Sequence, residues 1–161
     1  MSLLKDKKDY GDQFQEHLLS QWITCVEMAN YSSDRRISAN NFYMTVNAAL
    51  LAVITFSADW KNCLLAIVGI VVSILWIQSI NNYKKLNEAK YAIINSMEQE
   101  LPSAPFTEEW ANLRRSSKYR LLTSNEKWVP WVFVILFAIV LLLPFGKWVL
   151  TLVCPCINGG M

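Results

Sequence analysis

Three stretches of this chain lack any charged residue: 37–58, 62–83 and 128–146, of 22, 22 and 19 residues. A bilayer core about 30 Å thick is crossed by roughly 20 apolar residues of helix. The pattern therefore predicts an all-α integral membrane protein with three transmembrane helices. Every charge lies outside these stretches, and almost all fall in two polar blocks. With three spans, those two blocks face the same side of the membrane.

The placement of the basic residues gives an orientation. Residues 1–41 and 82–127 together hold 13 of the 15 Lys and Arg. Excess Lys and Arg mark the cytoplasmic side. The expectation is a cytoplasmic N-terminus and an outside C-terminus. Net charge is only +2, too small a field to suggest a nucleic-acid partner. Nearly forty mostly polar residues precede the first span, the wrong order for a cleavable signal peptide. That span is expected to act as an uncleaved anchor.

Along the chain the reading is as follows. Residues 1–37 hold an amphipathic cytoplasmic helix, with Phe14, Leu18, Trp22, Cys25 and Ala29 at steps of three and four. Its polar face is acidic, which favours packing on protein over lying on a membrane surface. Ser32-Ser33-Asp34 reads as a break. Residues 38–80 form a helical hairpin in the membrane. Its first span carries Asn40, Asn41, Thr45 and Asn47, amides and a hydroxyl that need partners in hydrocarbon. Ala48, Ala49 and Ala52 allow a close helix approach.

The second span meets no Gly or Pro between Gly69 and Pro102. It is expected to run on into the cytoplasm to Leu101, about 39 residues or roughly 58 Å. Residues 81–127 are cytoplasmic, with Leu86, Ile93 and Met97 on an apolar stripe that needs a mate. The 14–29 stripe or a neighbouring subunit could supply it. Pro102 and Pro105 end this helix, and Thr107 reads as the N-cap of a short helix from about 108 to 122. The segment 123–126 fits a capping box for the last span. Residues 128–153 form that span, and 154–161 a short outer tail.

No motif for catalysis, a cofactor or a metal emerges. His17 stands alone, and Cys154 and Cys156 are too sparse for a zinc site. Glu98, Glu100, Glu108 and Glu109 flank the proline turn and read as a solvated acidic turn. No charge lies inside a span, which lowers the case for a proton-coupled transporter. A pore lined by amides and hydroxyls stays open. Arg35, Arg36, Lys84 and Lys85 flank the membrane. They read either as lipid-headgroup contacts or as ordinary topology-setting charge.

Several strings, in order, give a resemblance. They are Arg36-Ile-Ser-Ala-Asn-Asn-Phe-Tyr43, Asn82-Tyr-Lys-Lys-Leu-Asn-Glu-Ala-Lys-Tyr91, Met97-Glu-Gln-Glu-Leu-Pro102, Phe106-Thr-Glu-Glu-Trp110 and Lys118-Tyr-Arg-Leu-Leu-Thr123, followed by Glu126 and Pro130. Together they resemble the RipA-type octameric membrane proteins of bacteria, over roughly residues 14–135. The resemblance implies a homo-octameric ring with membrane spans and a cytoplasmic helical part, without enzymatic activity. The exposed apolar stripes would then pack between subunits.

Two functions compete at this point. One is a self-assembling, non-enzymatic scaffold or pore-like complex whose partners are itself and membrane lipids. In it Asn40, Asn41 and Asn47 bond between helices or face a central cavity. The other is a small membrane-permeabilising effector acting with an unidentified sensor protein. An enzyme comes third.

Overall fold

The computed structural model describes residues 7–56, 61–115 and 126–153, the last stretch with side chains as far as residue 143. It is helical, with no strand among the described residues. The helices are α1 (Lys7–Tyr10), α2 (Phe14–Phe56), α3 (Lys61–Glu98), α4 (Pro105–Arg115) and α5 (Trp128–Val153). Both α2 and α3 are long and apolar enough to cross a membrane, and α5 contains the shorter apolar run Trp128–Leu143. The chain divides into two compact units, one from residues up to Ser38 and from Asn81 to Leu122, the other from Ala39 to Ile80 and from Thr123 onward.

α2 runs unbroken for 43 residues, so the break expected at 32–34 is absent. The local chemistry explains this. Ser33 Oγ donates to the Ala29 carbonyl four residues back, at 3.2 Å. A serine that bonds within its own helix does not compete for the backbone as a cap would. The helix starts after Gly11, whose φ of 92° suits the residue that ends α1. Gly11 N–H donates to the Lys7 carbonyl at 3.4 Å.

The first unit is held by an apolar cluster of Phe14, Leu18 and Met97, flanked by Trp22, Cys25 and Leu101. The 14–29 stripe of α2 and the far end of α3 thus cover each other within one chain. Lys90 Nζ adds a 2.7 Å hydrogen bond to the Met28 carbonyl. α3 ends at Glu98, three residues before the expected boundary.

Glu98 corrects the expectation of a solvated acidic turn. It is 1% exposed. Its Oε1 accepts from Phe106 N–H at 3.1 Å. Its Oε2 accepts from Thr107 N–H at 3.0 Å and from Thr107 Oγ1 at 2.9 Å. The first N–H groups of any helix have no partner inside it, and a carboxylate there also meets the positive end of the helix dipole. Glu98 therefore caps α4 from the end of the preceding helix. Thr107 is not the cap: α4 begins at Pro105, and Thr107 lies inside its first turn. Proline suits that first position because its missing N–H would have no partner. Phe106 then packs against Trp22 and Tyr91, each with ring centroids 5.9 Å away. The remainder of the expected 108–122 helix and most of the 123–126 capping box lie outside the described residues.

The second unit is built around Ile54, Ala66 and Phe137, one residue from each of α2, α3 and α5. Leu50, Ile70, Phe133 and Val140 pack around them. Gly69 lets α5 approach α3. A Cβ there would lie 2.5 Å from Cε1 and Cε2 of Phe137. Phe137 is fully buried, with Phe133 stacked at 6.5 Å.

Candidate functional site

Within the second unit, the amides that make the first span unusual sort onto two faces of α2. Asn40 and Asn47 turn toward α3. Trp76 Nε1 donates to Asn40 Oδ1 at 2.9 Å. Tyr43 stacks on the same indole, with ring planes 10° apart. Asn47 is fully buried. Its Nδ2 donates to the Tyr43 carbonyl at 2.8 Å, and its Oδ1 accepts from Ser73 Oγ at 2.9 Å. Ser73 Oγ also lies 2.9 Å from the Gly69 carbonyl. The result is a polar seam in an apolar hairpin, with the Asn40 carbonyl and both ends of the Asn47 amide bonded inside the chain. At the far end, Asn62 Nδ2 donates to the Ile54 carbonyl at 3.3 Å. That carbonyl is among the last four of α2, which lack helical partners.

The opposite face of α2 is different. Asn41, Thr45, Ala48, Ala52 and Thr55 follow one another at spacings of four, three, four and three, and all are exposed. At 3.6 residues per turn they form one continuous strip. The two hydroxyls are internally satisfied. Thr45 Oγ1 donates to the Asn41 carbonyl at 2.9 Å and Thr55 Oγ1 to the Ala52 carbonyl at 2.7 Å. The strip is small, smooth and mildly polar.

The exposed faces of the neighbouring helices make the contrast. α3 presents Leu64, Ile67, Val68, Val71 and Leu75, and α5 presents Val132, Ile135, Ile139 and Leu142. Those faces carry the large aliphatic side chains expected against lipid. The α2 strip carries none until its flanks. Small residues let helix backbones approach closely in a membrane. Ala48 and Ala52 were legible in the sequence as such residues, but not as one strip with Asn41 and Thr45. Gly69 and Ser73 were not singled out. Their signal was that of a glycine and a lone hydroxyl between aliphatic residues.

The other candidate residues sit as follows. Leu86 and Ile93 are exposed, whereas Met97 is buried against Phe14 and Leu18 in the same chain. The Arg35 guanidinium lies 5.4 Å over the Tyr31 ring, within cation–π range. Arg36 is half-buried and Lys85 exposed. Lys84 Nζ is 3.6 Å from Glu88 Oε1. His17 Nδ1 and the Tyr10 hydroxyl share a 2.8 Å hydrogen bond on the surface. Among the described residues no group of three or more His, Cys, Asp or Glu is arranged to hold a metal ion. Cys154 and Cys156 lie outside the described residues.

Comparison with curated proteins and with solved structures returns no match. A family model does match, across residues 19–145, which takes in α2 from Leu19 onward, all of α3 and α4, and α5 as far as Phe145. The chain, with its two apolar helices and the small polar strip along one of them, belongs to the octameric membrane protein family, 8xMP.

Proposed function

We propose that this chain is a multi-pass protein of the bacterial inner membrane that assembles into a non-enzymatic homo-octameric scaffold or pore-like complex. Three spans cross the bilayer: the C-terminal half of α2, the N-terminal half of α3, and α5. The N-terminus and the 81–127 region are cytoplasmic and the C-terminus is outside, a reading that the distribution of basic residues supports. Arg35, Arg36, Lys84 and Lys85 then lie at the cytoplasmic headgroups.

One observation carries this reading. Of the exposed membrane-facing surfaces, the α2 strip from Asn41 to Thr55 is small and polar while those of α3 and α5 are large and aliphatic. Lipid solvates the second kind well and gains little from the first. The strip therefore faces neighbouring subunits around the axis of the ring. A closed ring needs two different surfaces on each subunit that meet head to tail. Exposed Leu86 and Ile93 on α3 supply apolar contact outside the membrane.

The test is particle mass in mild detergent, by mass photometry, for the wild-type chain, Ala48→Leu and the lipid-face control Val71→Leu. The expected result is an octamer for wild type and Val71→Leu, and a smaller or mixed species for Ala48→Leu. A monomeric wild type sinks the proposal. Flux of a small dye from liposomes separates a pore from a closed scaffold. Toxic overexpression that needs a second gene product would favour the permeabilising effector instead.

A further inference from the structure

A cleft of about 420 Å³ opens at the start of α5, lined by Lys127, Trp128, Trp131 and Ile135. That volume falls in the range of about 300–1,000 Å³ usual for small-ligand sites. Trp128, Trp131 and Ile135 are spaced three and four apart, so they share one face of the helix, and all three are exposed. Lys127 is the last charged residue before the charge-free stretch 128–146. The cleft thus changes character along its length, from a cation through two indoles to an aliphatic side chain. Among the described residues that line it, the one charged side chain is the Lys127 ammonium.

We propose that this cleft binds one anionic phospholipid. Its phosphate meets the Lys127 ammonium, its ester region lies at the indole rings, and an acyl chain runs along Ile135. Charge complementarity selects the headgroup. Indoles suit the intermediate depth because they pair an apolar body with an N–H donor. The proposal rests on α5 crossing the bilayer with Lys127 at its cytoplasmic surface. It differs from general attraction of flanking basic residues to headgroups, because the occupant has a defined seat.

The test uses the full-length oligomer in phosphatidylcholine liposomes. These contain a small fraction of either phosphatidylglycerol or phosphatidylcholine with brominated acyl chains, which quench nearby tryptophan. The contribution of the pair is the emission lost in Trp128→Phe/Trp131→Phe. The expected result is stronger quenching of that contribution by the brominated anionic lipid. Its apparent preference should be about fivefold, the discrimination that one basic residue gives at a membrane surface. Lys127→Gln should remove the preference while particle mass stays unchanged. Equal quenching by both headgroups, or a preference that survives Lys127→Gln, overturns the site while leaving the three-span reading intact. No quenching by either lipid overturns both. Loss of particle mass in the double Phe variant, without headgroup dependence, shows that a second copy of the chain occupies the cleft and also overturns it.

Discussion

Gly69→Leu should be among the most damaging single substitutions in the described membrane unit. A Cβ at this position would stand 2.5 Å from two Phe137 ring carbons, where ordinary contact begins at 3.4 Å, so the ring must withdraw about 0.9 Å before the rest of the leucine is placed. The ring has little room to withdraw. Phe137 is fully buried and Phe133 stacks against it. Overpacking a well-filled core costs about 1–3 kcal/mol. For Gly69→Ala the better helix propensity of alanine returns up to about 1 kcal/mol, leaving a net loss of about 0–2 kcal/mol. Leucine gains a similar propensity but adds three more carbons, so its net loss should exceed about 2 kcal/mol. The assay is unfolding of the purified oligomer in mixed micelles against SDS mole fraction, followed by tryptophan emission. Phe137→Ala alone should also destabilise, by leaving a cavity. The double variant should lose at least about 1 kcal/mol less than the sum, because leucine fills the space the ring left. Strict additivity, or a Gly69→Leu curve that overlays the wild type, would refute the claim that α5 docks on α3 through this contact.

Other outcomes follow from the polar contacts. Asn47→Ala and Ser73→Ala should each destabilise the second unit, with a coupling of about 0.6 kcal/mol and no more than about 1.7 kcal/mol in a double-mutant cycle, the average and the maximum for hydrogen bonds between membrane helices. Glu98→Ala should cost about 1–2 kcal/mol through loss of the cap. It should appear first as faster amide hydrogen exchange at residues 106–108, with exchange in 61–80 unchanged. Lys84→Ala should change stability by less than about 0.5 kcal/mol, because its partner Glu88 is exposed and such pairs contribute little.

Much of the fold was legible in the sequence because hydrocarbon is an unforgiving solvent. Charge-free stretches of span length leave few alternatives, and the lack of any breaker between Gly69 and Pro102 implied that α3 would be long. The end of that helix was less legible. A glutamate near two prolines looks like surface charge until the N–H groups of the following helix are seen to converge on it. Ser33 misled for a related reason. The same hydroxyl that caps a helix can bond back within one, and local sequence does not say which. The amides of the first span signalled that partners were needed. Only the register of the hairpin shows that Asn40 and Asn47 find them on α3, whereas the side chain of Asn41 faces outward.

The Asn47–Ser73 bond also bears on how the protein is made. The two residues are 26 positions apart in the chain. At a synthesis rate of about 5–20 residues per second, the hydroxyl leaves the ribosome roughly one to five seconds after the amide. During that interval the first span would have to enter lipid with its buried amide side chain lacking that partner, at an energetic penalty. Delaying release from the insertion machinery until the second span arrives removes the penalty. The hairpin is thus suited to enter the bilayer as a pair, and a nascent chain arrested before Ser73 should integrate less efficiently than one arrested well after it.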